Sequence, residues 1–246
     1  LIVGGLVAAV VVLILGLPHD VSLGQALHLA GATGRLQTFN FTFDLTNQYT
    51  FWSGTIAALF LFCSYFGTDQ SQVQRYLAAP SVEQARSSLL MSAYWKIPLQ
   101  ALVLLVGVLL FTFYVFTPPP MLFDGRHESQ LRTGARAGDY AAVEGRFAAA
   151  VSARREQAST YAKARTAGDT TAAAAAMDAF AKSERDVRAA RGDAVALVRS
   201  ATGDSGFNDV NYVFPTFILT YMPIGLIGLM IAAIISAAMS ASSGAC

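Results

Sequence analysis

The chain has 246 residues, 54% of them hydrophobic and only 13% charged, with a mean hydropathy of +0.46. An average soluble domain is about a quarter charged, so the composition argues against a simple cytoplasmic globule. Residues 118–213 hold 13 of the 17 Lys and Arg and 12 of the 16 Asp and Glu, the pattern of a membrane protein carrying a polar insert, and the net charge of +1 argues against a basic nucleic-acid binder.

A lipid-spanning helix needs roughly 20 apolar residues, because about 30 Å of hydrocarbon is crossed at about 1.5 Å per residue. Residues 1–17 read as a first span, ended by Pro18. Residues 18–50 are polar and aromatic, with a short helix expected around Leu23–Ala30. Residues 51–67 form a second span. In the connection 68–88, Ser81 follows Pro80 and is placed to cap a short helix. A third span covers 89–116, longer than a bilayer requires, with tilt or a kink expected at Pro98. A fourth covers 214–246, with Pro215 and Pro223 early in it.

The charged insert, 118–213, begins where Thr117-Pro118-Pro119-Pro120 stops the third span. Asp139–Thr166 and Thr170–Ser200 then read as two helices joined at Ala167-Gly168-Asp169. Tyr140, Val143, Phe147 and Val151 fall on one side at helical spacing, whereas Met177, Phe180, Val187, Val195 and Val198 follow a looser pattern. The expectation is an antiparallel helical hairpin with a thin Ala-rich seam. Acidic residues alternate with its arginines, which favours a solvated face over a nucleic-acid stripe.

Sidedness follows from basic residues in short loops. Loop 68–88 has Arg75 and Arg86, with Lys96 just beyond, against Arg35 alone in 18–50. This puts 68–88 in the cytoplasm, 18–50 outside and, by alternation, 118–213 outside as well. The chain starts without Met inside an apolar run, ends within a helical pattern and has no secretory signal, so the expectation is a fragment of a longer polytopic protein.

Enzymatic chemistry finds little support. His19, His28 and His127 have no metal-ligand spacing, and Cys63 and Cys246 make neither a disulfide framework nor a CxxC site. There is no GxSxG, P-loop or dinucleotide fingerprint, and the chain reads as no enzyme with no organic cofactor.

Two polar features inside apolar segments stand out. Lys96 lies in Ala93-Tyr94-Trp95-Lys96-Ile97-Pro98, where an ammonium either faces a cavity or snorkels to the headgroups. The last span has small residues at Ala233, Ala237 and Ala241, a spacing suited to close helix packing. The same stretch presents the Ala237 carbonyl and the Ser240 hydroxyl on one face, uncharged oxygens of the kind a sodium ion prefers. A helix broken at mid-membrane would supply the other half of such a shell.

The run Phe66-Gly67-Thr68-Asp69-Gln70-Ser71-Gln72-Val73-Gln74-Arg75-Tyr76-Leu77-Ala78-Ala79, followed by Ala85-Arg86 and Lys96-Ile97-Pro98, resembles the sodium:solute symporter family. So does Gly225-Leu226-Ile227-Gly228-Leu229-Met230-Ile231-Ala232-Ala233 leading into Ala237-Ala238-Met239-Ser240. The resemblance covers 1–117 and 207–246. It implies an all-α membrane protein of the leucine-transporter type, an inverted-repeat bundle in which the four spans are core helices 5 to 8.

The resemblance also implies Na+ as coupling ion and a small organic solute as cargo, in a multi-pass protein of the plasma membrane, bacterial inner membrane being the expectation. Ala237 and Ser240 would hold one sodium, and Ser243 with Ser240 an additional one. At the position after Ser240 the family carries Ser or Thr, and this chain has Ala241. Phe62 matches a position that is polar in sugar carriers, Tyr65 an aromatic closing over substrate, and Lys96 a lysine lining the substrate cavity. Residues 118–213 have no counterpart in that scheme and read as an inserted extracellular hairpin. That insert also supports an alternative: a membrane-embedded sensor or scaffold whose hairpin binds an external partner.

Overall fold

The computed structural model describes every residue except 1, 20, 38, 39, 45, 48, 49, 135 and 244–246, and leaves out the side chains of 71, 75, 76, 129, 241 and 243. Ten α-helices account for most of it, with no strand among the described residues. Helix α1 spans Ile2–Leu15 and α2 spans Leu23–Ala32. Ser22 starts α2 with a capping box, its hydroxyl accepting from the Gln25 amide while the Gln25 side chain accepts from the Ser22 amide. Thr50 and Ser53 make the same reciprocal arrangement at the start of α3, Phe51–Gly67. A short helix, α4, follows at Gln70–Leu77.

Ser81 caps a helix as its position after Pro80 suggested, accepting from the Gln84 amide at 3.2 Å. The helix it starts is not short. Helix α5 runs unbroken through Val82–Phe116, 35 residues with Pro98 inside, so the expected short helix and the third span are one element. At about 1.5 Å per residue it is about 52 Å long, well beyond the hydrocarbon thickness. It is the one helix among the described residues long and apolar enough to cross a membrane; Ile2–Leu15 and Phe51–Gly67 are apolar but shorter.

After α6 (Glu128–Thr133), helices α7 (Ala137–Ala167) and α8 (Thr170–Thr202) form the long hairpin. Its turn uses Gly168 at φ +74°, a left-handed conformation that favours a residue without Cβ, and Asp169 caps α8 through the Ala172 amide at 2.9 Å. Tyr140, Val143, Phe147 and Val151 are all buried against Val187, Ala190, Ala194 and Val198.

The last apolar segment is two helices, α9 (Val213–Tyr221) and α10 (Ile224–Ser243), rather than one continuous helix. Met222 is extended (φ −86°, ψ 148°), the conformation that a following proline imposes, and Pro223 cannot donate the amide that would continue α9. Pro215 is tolerated because it lies in the first turn of α9, where amides have no intrahelical partner.

Three apolar cores hold these elements. One joins α1, the C-terminal half of α5, α9 and Met230 of α10, with Phe113 and Phe217 edge-to-face at 5.4 Å. A second fills the hairpin and its base. The third packs the hairpin tip, Ala158, Tyr161, Ala176 and Phe180, onto Leu29 of α2 and Val115 and Phe116 of α5. The hairpin therefore lies against the bundle at both ends instead of projecting freely. Near the tip, Gln25 Nε2 donates to the Ala162 carbonyl at 3.3 Å.

Candidate functional site

Exposed apolar surface covers α3 and the first half of α5, as well as parts of α1 and α10. No residue of α3 is buried, and Leu59, Phe60 and Leu61 are each more than 60% exposed; on α5, Tyr94 and Ile97 are 73% and 70% exposed. Such a surface needs lipid or further helices against it.

Lys96 stands within this region, over aromatic rings. Phe62, Tyr65 and Phe66 occupy i, i+3 and i+4 positions on α3 and so share one face. Lys96 Nζ, carried by α5, is 5.7 Å from the Tyr65 ring centroid and 5.5 Å from that of Phe66. The Tyr65 and Phe66 rings meet edge-on at 5.0 Å, and Phe62 touches Phe66 at 5.9 Å. An ammonium at this range is attracted by the ring faces, which hold it while leaving its hydrogens free for an acceptor. Phe66 opens the motif run but carries no site role in the sequence reading. The signal for it was its place four residues after Phe62 and next to Tyr65.

Ala237 and Ser240 lie elsewhere. Both are exposed on α10, which packs on α1 through Met230, whose Cγ would be 3.2 Å from a Cβ at Gly5. Ala233, one turn before Ala237, is buried. Ser243 is within α10, but its side chain, like that of Ala241, lies outside the described residues. The structure thus brings Lys96 to Tyr65 and Phe66, and sets the α10 oxygens on a separate helix seated on α1. Among the described residues no three His, Cys, Asp or Glu gather to hold a metal ion.

The described residues thus form an all-helical fold with one helix long and apolar enough to cross a membrane and a cation held over aromatic rings. Curated proteins similar to the chain are sodium-coupled transporters. The sodium/iodide cotransporter of Homo sapiens is 31% identical over 98 residues, covering 40% of this chain and 15% of the relative. The sodium-coupled monocarboxylate transporter 1 of Homo sapiens is 43% identical over 56 residues, 23% of this chain and 9% of that protein. The sodium-dependent multivitamin transporter of Oryctolagus cuniculus is 29% identical over 107 residues, 42% of this chain and 16% of that protein. No family model matches the chain, and no solved structure does. The chain spans less than a fifth of the length of these relatives. Over these stretches the chain is similar to sodium-coupled transporters, in keeping with the resemblance to the sodium:solute symporter family.

Proposed function

We propose that the chain is part of a symporter that couples sodium entry to the movement of a small organic solute across a membrane. The observation that carries this reading is its similarity to three sodium-coupled transporters, each matched over a limited stretch. In this reading α1, α3, α5 and the α9–α10 pair are core helices 5 to 8 of a leucine-transporter-type inverted repeat. Loop 68–88 faces the cytoplasm, and 18–50 and the hairpin face outward.

Phe62, Tyr65 and Lys96 line the solute path. The Ala237 carbonyl and Ser240 hydroxyl bind one sodium, and Ser243 contributes to another; in the family scheme core helix 1 completes the shell. Ala237 and Ser240 both lie on an exposed stretch of α10, beyond the point where Met230 seats that helix on α1. Neutral oxygens suit a monovalent cation because they replace its water without trapping it by fixed charge. One charge moving through about 100 mV contributes about 2.3 kcal/mol, which together with the sodium gradient drives solute accumulation.

The test is solute uptake by the full-length protein in proteoliposomes. Sodium-dependent uptake is expected, with Ser240→Ala raising the half-saturating sodium concentration. Uptake unchanged when choline replaces sodium refutes the reading.

A further inference from the structure

Where the hairpin meets the C-terminal half of α5 there is a cavity of about 370 Å³. Its walls combine aromatic rings (Phe111, Phe123, Phe147) with guanidinium groups of Arg35, Arg154 and Arg188. The volume falls in the range of small-ligand pockets.

The charges around it do not balance. Arg154, its side chain only 6% exposed, donates through Nη1 to Glu184 Oε2 at 2.9 Å and through Nη2 to the Tyr114 carbonyl at 2.6 Å. Arg188 Nε donates to the other oxygen of Glu184 at 3.2 Å, and Arg35 Nη2 lies 3.9 Å from that same oxygen. Three guanidiniums thus share one carboxylate. Arg191, also on the wall, is matched separately by Asp209 at 2.7 Å. Arg35 stacks on the Phe111 ring, its guanidinium carbon 3.8 Å from the centroid. Burial draws its pKa below the ordinary value; Glu184 opposes this, and the like charges of Arg188 and Arg154 add to it. Two buried atoms at the wall, Arg154 Nε and Tyr114 Oη, have no hydrogen-bond partner among the described residues.

A partly enclosed surplus of positive charge is costly in a medium that screens less than water, and an anion relieves it. We propose that this cavity binds an oxyanion joined to an apolar group, its charged end among Arg35, Arg154 and Arg188 and its apolar part against Phe111, Phe123 and Phe147. Planar guanidiniums favour carboxylate or phosphate oxygens, and the aromatic walls favour a ligand with a hydrophobic body. Two sources supply that chemistry: a dissolved organic acid, or an anionic lipid at the end of α5. The site goes beyond sodium coupling and does not depend on it. Gly107, its nearest point on α5 to Lys96, is about 16 Å further along the helix.

The test uses the full-length protein in phosphatidylcholine nanodiscs in sodium-free choline buffer, so that failure of coupling cannot mimic failure of this site. Benzoate is titrated by calorimetry, with inorganic phosphate as the probe lacking an apolar body. The double substitution Arg35→Gln with Arg188→Gln removes two guanidiniums whose side chains are 41% and 67% exposed, and an unchanged thermal midpoint confirms the fold. Saturable benzoate binding is expected, weakened about tenfold by the double substitution, with phosphate binding about tenfold more weakly than benzoate. A second arm uses discs containing phosphatidylglycerol. Benzoate affinity unaffected by that lipid assigns the site to a dissolved acid. Loss of benzoate binding there, or enrichment of phosphatidylglycerol by the wild type over the double variant, assigns it to the lipid. The proposal is overturned by equal binding of phosphate and benzoate, by a folded double variant that binds as the wild type does, or by absence of both benzoate binding and lipid enrichment.

Discussion

Asp209 and Arg191 are joined at the hairpin base: Arg191 Nη2 donates to Asp209 Oδ1 at 2.7 Å, while Oδ2 of the same carboxylate accepts the Phe123 amide at 2.7 Å. Asp209 is 1% exposed, and Arg191 also lies over the Phe123 ring at 4.8 Å. One carboxylate therefore ties α8 to the segment leaving α5 and fixes the angle at which the chain re-enters the bundle through α9. Replacing Asp209 with Ala leaves a buried amide and a guanidinium unmatched. A loss of about 3 kcal/mol is expected, read as a lower midpoint in denaturant unfolding of the full chain in detergent.

Phe180 does at the hairpin tip what Asp209 does at the base, by packing instead of charge. It is fully buried among Ala158, Tyr161, Leu29 and Phe116. Phe180→Ala is expected to cost about 3 to 5 kcal/mol and to raise hydrogen exchange in α2 together with the tip. Destabilisation without faster exchange in α2 would mean the tip does not brace that helix.

Lys96 is held over Tyr65 and Phe66, and in the proposed reading it presents its cation to the solute path. Lys96→Met should raise the solute KM about tenfold, as expected for loss of a charge-assisted contact, while half-saturation by sodium stays unchanged. Lys96→Arg should restore part of the loss. Equal effects on sodium and solute would place Lys96 outside the solute path.

Acid should loosen the hairpin base before the bundle. The hydrogen bonds from the Arg126 side chain hold the Asp124 carboxyl below the ordinary carboxylate range, with burial acting in the opposite direction. A lowered native pKa means that the stabilisation is present above the unfolded value, about 4, and disappears as pH falls through the native one. The difference in thermal midpoint between wild type and Asp124→Asn should be flat from about pH 7 to 5 and shrink below about pH 4. Arg126 is 70% exposed, so solvent screening keeps the effect small.

Local signals were legible in the sequence wherever a single residue fixes backbone geometry. Ser81 marked a helix start, Gly168 the hairpin turn, and Tyr140, Val143, Phe147 and Val151 the seam, because capping, positive φ and helical periodicity depend on neighbours within a few positions. Even there the reading stopped short: Pro98 stays inside α5, whereas Pro223 breaks the last segment in two, and the residue type alone does not tell these cases apart.

What only the tertiary structure decided is how segments far apart in the chain come to share one environment. Arg35, Arg154 and Glu184 are separated by 119 and 30 positions, and no periodicity links them; they meet because the tip of the hairpin docks on α2 and α5. The placement of Lys96 over Tyr65 and Phe66, and of Met230 against Gly5, is likewise set by which helix faces which. Composition and pattern determine that a stretch is helical and which stripe is apolar. The choice of partner for that stripe depends on the summed packing of all helices at once, which no short window of sequence contains.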